Sequence, residues 1–258
     1  MVLQDLILPL GLRTPGGDST RGWCHASDVR CGMRIVGWNS QGGGRSKYSH
    51  LEALAPDVAV VPEYGKLPLA APHEVVGENR FVGFGTEGDR GIGVVAGPEW
   101  SLAPVDLAPL SGEVLGAVEV RGEAEVNVLA VWACLSGNPK QHPVVEAAAA
   151  WTDWIRSAPT VVIGDFNTGH HWTKARGCDA HQPVVDALGA LGLSPVCCSS
   201  HGQDGPTTHW HARSKGRFHI DHAFVSTGVR VQGWGVGLGD TWRSRSDHAP
   251  LVLDVEIG

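Results

Sequence analysis

The run Val161-Val162-Ile163-Gly164-Asp165-Phe166-Asn167 joins three β-branched residues, which suit a strand buried on both faces, to a glycine, an acid and an amide. Far downstream, Ser246-Asp247-His248 stands just ahead of a second apolar run, Pro250-Leu251-Val252-Leu253. Working outward, two further strand-like runs end in polar residues. Arg34 to Trp38 ends at Asn39, and Val58 to Val61 is closed by Pro62 and delivers Glu63. Strand ends on one side of a sheet converge in space, so these residues can meet despite their separation in sequence. Acid, amide and imidazole together suit an oxygen-liganding cation such as Mg²⁺ or Mn²⁺, with the amides and the His aimed at a phosphate.

The rest of the chain predicts a mixture of hairpins and helical crossovers. Strand pairs are expected at Arg80 to Gly85 with Ile92 to Ala96, around a Glu87-Gly88-Asp89 turn, and at Val114 to Val120 with Val126 to Trp132. His219 to Val225, Val229 to Val236 and Leu251 to Ile257 read as strands too. Helices are expected at Lys47 to Leu54, at Val144 to Ile155 with its Ala run, and at Pro183 to Leu191 before Gly192. The pattern is that of one α/β domain spanning residues 33–258. Residues 1–32 read as a flexible extension, or as sequence upstream of a functional start at Met33. Leu3 to Leu12 is interrupted by Asp5 and Pro9 and lacks a basic flank, so it is neither a secretory signal nor a membrane span. A cytoplasmic location follows by default.

At 258 residues the chain can bury a large core, and its 35 glycines and 16 prolines favour many tight turns over a helical bundle. The net charge of −7 means that any nucleic-acid partner must be met by a local basic patch, helped by a bound cation. Arg213, Lys215 and Arg217, or Arg243 and Arg245, could form one. The six cysteines form no C-x-x-C pair and are expected to be buried free thiols. Neither H-E-x-x-H nor a zinc-finger quartet is present.

The motifs Trp38-Asn39, Pro62-Glu63, Gly164-Asp165-Phe166-Asn167, His219-Ile220-Asp221 and Ser246-Asp247-His248 together resemble those of the endonuclease/exonuclease/phosphatase superfamily, in the same order. The resemblance implies an α/β four-layer sandwich, two packed mixed β-sheets flanked by α-helices. It also implies Mg²⁺-dependent hydrolysis (Mn²⁺ as an alternative) of phosphate esters, DNA or RNA among them, with no protein partner inferable. Carried over by position, Glu63 holds metal with Asn39 beside it, and Asp247 assists. Asp165 activates the attacking water, Asn167 holds a phosphate oxygen or that water, and His248 donates to the phosphate while Asp221 orients its ring. The physical logic is independent: an anionic diester needs positive charge on its oxygens and a positioned nucleophile.

One departure stands out. Several branches of that superfamily carry a His where this chain has Trp132, and Trp cannot protonate a leaving group. A nuclease or related phosphodiesterase is the first reading. A phosphatase of small or lipid phosphates, and a binding protein with a retained but inactive site, are the alternatives. For substrate contact, His170 and His181 follow the catalytic strand. Trp210 belongs to a loop, Thr207-Thr208-His209-Trp210-His211, that is followed by the cluster Arg213, Lys215 and Arg217, so that an aromatic stands among basic groups.

Overall fold

Gly37 and Ile163 set the spacing of the structure, because a Cβ on Gly37 would lie 2.9 Å from Ile163 Cγ1 and so the strands carrying them pack in direct contact. The structure, a computed structural model, describes residues 6–7, 32–65, 74–76, 79–85, 90–107, 114–133, 142–174, 181–197, 205–237 and 239–258. In chain order the strands are β1 (Leu6–Ile7), β2 (Met33–Gly37), β3 (Val58–Val61), β4 (Glu74–Val76), β5 (Asn79–Phe84), β6 (Ile92–Ala96), β7 (Ser101–Pro104) and β8 (Val114–Arg121). They continue with β9 (Glu125–Trp132), β10 (Thr160–Asp165), β11 (Ser194–Pro195), β12 (His209–Trp210), β13 (Arg217–Phe218), β14 (Asp221–Val225), β15 (Val229–Gly237) and β16 (Leu251–Ile257). The helices are α1 (Gly44–Glu52), α2 (Pro143–Ala150), α3 (Thr152–Ser157), α4 (His170–Lys174), α5 (Gln182–Ala190) and α6 (Asp240–Arg243).

Among the described residues, one sheet has the order β1-β15-β16-β2-β3-β6-β5-β4 and the other β11-β14-β10-β9-β8-β7, with β12 and β13 as a separate hairpin. Both sheets are mixed: β2 runs parallel to β3, and β9 parallel to β10, while the other pairings are antiparallel. Alternation along the strands then builds the layers. Val161 and Ile163 face Ile35, Val58 and Val60 of the other sheet in the central core. Val162 points outward, with Leu129 and Phe224, onto Val144, Ala147 and Leu188 of α2 and α5. On the far side, Val36, Ala59 and Val61 meet Leu51 and Leu54 at α1 and Trp242 of α6. This is the expected four-layer sandwich. Each fully buried Val, Leu or Ile contributes about 1.5–3 kcal/mol, so the double-sided burial of these strands dominates stability.

The expected helix Val144 to Ile155 divides at Trp151, where φ is −111°. Thr152 Oγ1 bonds back to the carbonyl of Ala148 at 2.7 Å, a local side-chain bond that competes with regular helix. Within the stretch read as an extension, Leu6–Ile7 pairs antiparallel with Val236 and Gly237. The reading of buried free thiols is corrected for Cys197, which is buried but disulfide-bonded. The Glu87-Gly88-Asp89 turn lies outside the described residues. Among the described residues, no helix is long and apolar enough to cross a membrane.

Gly164 is the residue on which the end of β10 turns. Its φ is +145°, and a Cβ there would stand 2.1 Å from the carbonyl oxygen of Val131 on the neighbouring β9. Neither the backbone angle nor the fixed strand can yield cheaply. Gly164→Ala is expected to cost roughly 2–4 kcal/mol and lower the thermal midpoint measurably. A calorimetric melting curve identical to the parent's would contradict this account.

Candidate active site

The contact between the sheets brings the ends of β2 and β10 side by side, and Asn39 spans them. Its Nδ2 donates to Asp165 Oδ2 at 2.9 Å and to Glu63 Oε1 at 3.1 Å, while its Oδ1 accepts from the Gln41 backbone at 2.9 Å. The amide is therefore a bridge between the two acids. Glu63 sits at φ +50°, a strained angle for a side chain of its kind. That turn is clamped by Ser40, whose Oγ donates to the Glu63 carbonyl at 2.9 Å.

Asp165 is 1% exposed. Its Oδ1 accepts from the backbone N–H of Asn167 at 2.9 Å, and its Oδ2 accepts from Asn167 Nδ2 at 3.1 Å besides Asn39. Asn167, also at φ +50°, donates as well to the carbonyl of Ala133 at 2.7 Å. Asn tolerates this left-handed angle better than most residues.

Asp221 is the in-register partner of Asp165 on adjacent antiparallel strands. His248 lies between the two acids. Its Nδ1 donates to Asp221 Oδ2 at 2.9 Å, and its Nε2 is 3.9 Å from Asp165 Oδ2. The backbone around it is pinned: Trp38 Nε1 donates to the His248 carbonyl at 2.9 Å, and Ser246 Oγ both donates to the Asn39 carbonyl and accepts from the His248 N–H. Thr208 Oγ1 accepts from the backbone N–H groups of Ile220 and Asp221, holding the acid's strand in place.

The electrostatics follow from burial and from charge. Burial raises the Asp165 carboxyl to about 7, with Asp221 adding to the rise and His248, Asn39 and Asn167 opposing it. Burial lowers the His248 imidazole, but Asp221 and Asp165 outweigh that and bring it up to about 10. A carboxyl near neutrality beside a firmly protonated imidazole is the pairing that general acid–base chemistry requires.

Other expected residues are placed differently. Asp247 is half-exposed, with its Oδ2 4.0 Å from His209 Nε2. Trp210 lines a cavity of about 500 Å³ beside Asp247, together with Lys215, Arg217 and Arg243. Arg213 is exposed on the neighbouring turn and is not among that cavity's lining residues. His170 heads α4, against the ring of His181. His181 is buried, its Nδ1 3.1 Å from Thr168 Oγ1, and lies behind the loop that follows Asp165.

Two more buried histidines brace that loop, and no strand-end motif singled them out. His142 Nε2 donates to the Phe166 carbonyl at 2.9 Å while its Nδ1 accepts from Val144 N, and burial lowers its pKa to about 4. His222 Nε2 donates to the Thr168 carbonyl at 2.6 Å, with burial and then His181 and His219 holding its pKa well below the usual value. Both are neutral donors, so the loop is held by imidazoles that carry no charge toward Asp165.

Arg90 belongs to no motif in the sequence, yet its Nη1 pairs with Glu63 Oε2 at 2.5 Å. Lys47 faces Glu63 and Asp247, and burial lowers its pKa against their opposing effect. Both acids act on the one ammonium, and carboxylate oxygens are the donors a hard divalent cation takes. Two groups of three among the described residues could hold a metal ion, His209 with Asp247 and His248, and Asp165 with Asp221 and His248; Glu63 belongs to neither.

The model of the Endonuclease/Exonuclease/phosphatase family matches residues 36–248. No curated protein matches the chain in sequence. Among solved structures, the chain is similar to NExo, a 3′ phosphatase from Neisseria bound to a product DNA hairpin, at 21% identity and TM-score 0.63, covering 88% of this chain and 99% of that one. The AP endonuclease LMAP from Leishmania major is similar at 14% identity and TM-score 0.66, covering 100% and 95%. The catalytic domain of human Nocturnin with a bound sulfate aligns at 15% identity and TM-score 0.59, covering 88% and 94%. At these identities the likeness is one of fold.

The Asp221–His248 pair carries its own test. The His248 ring, followed by NMR through a pH titration, is expected to keep both ring protons past neutrality and titrate at about 10. In Asp221→Asn the midpoint should fall markedly, because the carboxylate that outweighs desolvation is gone. A titration near the ordinary imidazole value in the parent protein would dismiss the pairing.

Proposed function

Because the chain belongs to the endonuclease/exonuclease/phosphatase family, we propose that it hydrolyses phosphate esters in a divalent-metal-dependent reaction, as a nuclease or related phosphodiesterase. The observation that carries this reading is the juxtaposition of a caged Asp165, raised to about 7, with a His248 imidazolium whose Nε2 opens onto the same space.

Asp165 takes a proton from a water held beside it. The second lone pair of Oδ1 is the acceptor its hydrogen bonds leave over, because Oδ2 already receives Asn39 and Asn167. His248 donates through Nε2 to a non-bridging phosphate oxygen, and Asp221 keeps the ring in that direction and charged. Asn167 turns its amide to the same phosphate or to the water. Glu63 and Asp247 would hold Mg²⁺, or Mn²⁺, with Asn39 tying Glu63 to Asp165. A cation bound there supplies positive charge to the phosphate oxygens and makes the phosphorus easier to attack. As the new P–O bond forms, the ester P–O bond breaks and the leaving oxygen departs. Trp132, paired in register with Asp165, offers it no proton, so that proton comes from solvent or the leaving group is a weak base.

A nucleic-acid substrate is supported by the cavity beside Asp247. Trp210 presents a face for a base, and Lys215, Arg217 and Arg243 supply the local positive charge that a chain of net charge −7 otherwise lacks. The same net charge favours the second reading, a phosphatase acting on a small or lipid phosphate.

The test is a panel of single- and double-stranded DNA, abasic DNA, RNA, bis-p-nitrophenyl phosphate and inositol phosphates, each with Mg²⁺, Mn²⁺ or EDTA. Turnover of a nucleic acid with metal and none with EDTA is expected. Asp165→Asn should reduce kcat by at least about 10²-fold with the fold intact by circular dichroism. Activity of the parent should climb as pH rises through about 7, where Asp165 ionises, and decline toward about 10, where His248 loses its proton. Full turnover by Asp165→Asn, or a profile flat from pH 5 to 9 (roughly the range that spans the lower limb), would remove Asp165 from the role of base.

A further inference from the structure

We propose that His209, Asp247 and His248 form a second cation site, one that takes a nitrogen-preferring transition metal such as Zn²⁺ and silences the hydrolytic centre by occupying His248 Nε2. The inhibitory half of this proposal rests on the hydrolase reading; the binding site itself does not.

The backbone builds the site. His209 of β12 forms an isolated antiparallel bridge with His248, flanked by the Trp210 N–H donating to the Asp247 carbonyl and the Ala249 N–H donating to Thr208. This short ladder sets the two imidazoles side by side, ring centroids 4.6 Å apart, with the Asp247 carboxylate next to them. One donor atom from each residue lies within 4.8 Å of the others, and His209 Nε2 is 4.0 Å from Asp247 Oδ2. Around a tetrahedral ion with bonds of about 2.1 Å, donor atoms stand about 3.4 Å apart. No pair therefore needs to close by more than about 1.4 Å, and the half-exposed Asp247, 4.0 Å from His209 Nε2, can approach by a rotamer change.

The chemistry separates this site from the one at Glu63. Two imidazole nitrogens and one carboxylate favour Zn²⁺ and its neighbours, whereas Mg²⁺ prefers oxygen ligands and dehydrates reluctantly. The outer partner needed by a ligating histidine is also in place. Asp221 accepts His248 Nδ1–H at 2.9 Å, the carboxylate–histidine–metal relay that orients a ligand and strengthens its basicity. On the other side, Trp172 packs edge-on against His209, centroids 5.7 Å apart, and Phe218 closes the wall. Binding requires that Nε2 release its proton to solvent, so the same atom cannot then donate to a phosphate. Asp247 is shared with the oxygen-rich site, and Zn²⁺ would thus withdraw two groups from hydrolysis at once.

The experiment is a calorimetric Zn²⁺ titration of the full chain beside His209→Gln and Asp247→Asn, with Co²⁺ absorption spectra as a reading of nitrogen ligation. The parent should bind one Zn²⁺ about tenfold or more tightly than either variant, and His209→Gln should alter the Co²⁺ spectrum. Zn²⁺ should inhibit Mg²⁺-supported turnover by the parent, and about tenfold more should be needed for His209→Gln, each scaled to that protein's own turnover with Mg²⁺ alone. Asp247→Asn, nearly isosteric and half-exposed, keeps the binding test decisive should His209→Gln fail to fold. Equal Zn²⁺ affinity in the parent and the folded variants overturns the site. Zn²⁺ inhibition that ignores His209 overturns the regulatory role. His209-dependent Zn²⁺ binding in a chain inactive on every phosphate ester upholds the site and sinks the hydrolase reading instead.

Discussion

Two carboxylates stand opposite one another in register, Asp165 on β10 and Asp221 on β14, and like charges so placed repel unless a positive group lies between them. His248 is that group. Its ring reaches both acids, and they hold its proton in a place where burial alone would remove it. The same burial leaves Asp165 reluctant to ionise. The result is a carboxyl and an imidazole whose affinities for a proton both lie above where water would put them, so that Asp165 can exchange a proton near neutral pH while His248 still holds its own. Neither member could be moved without changing the other.

Everything around the triad keeps that geometry. Gly37 lets β2 approach β10 closely enough for one amide, Asn39, to connect Asp165 with Glu63. Gly164 lets the chain turn against Val131 so that Asp165 points inward. Ser246, Trp38 and Thr208 fix the backbone of His248 and Asp221 through bonds from buried groups. Behind the loop, His142, His181 and His222 replace solvent as hydrogen-bonding partners of Phe166 and Thr168. Rigid support of this kind is what holds reacting groups within a fraction of an ångström of productive geometry. The open side is built differently: Asp247, Trp210 and the cations near them are partly exposed and border a cavity. In the proposed reaction, chemistry belongs to the buried side and recognition to the open one.

Much of this was legible in the chain itself. Val58 to Val61 and Leu251 to Ile257 have the bounds their apolar runs announce, and Asn39, Glu63, Asp165 and His248 stand where strand ends said they would. Less legible were the short strands Ser101–Pro104, His209–Trp210 and Arg217–Phe218, since two to four residues show no period. The division of the helix at Trp151 was hidden by its Ala run, because the competing bond from Thr152 is local chemistry that helix propensity does not weigh. Arg90 carried no signal: an arginine ahead of a strand is ordinary until a partner such as Glu63 is known.

The sequence by itself determined which residues could do chemistry, because strand periodicity places polar residues at the ends of buried runs whatever the rest of the chain does. It determined the class of fold for the same reason, since strands apolar on both faces must be covered on both. Only the tertiary structure decided which polar residues share a site. His209 and His248 are neighbours through a backbone bridge between distant segments, and His181 is turned inward by a hydrogen bond to Thr168, though both read alike as histidines in polar loops. Proton affinities belong to the tertiary structure too. They arise from burial and from charges brought together by packing, and neither quantity exists until the two sheets close on each other.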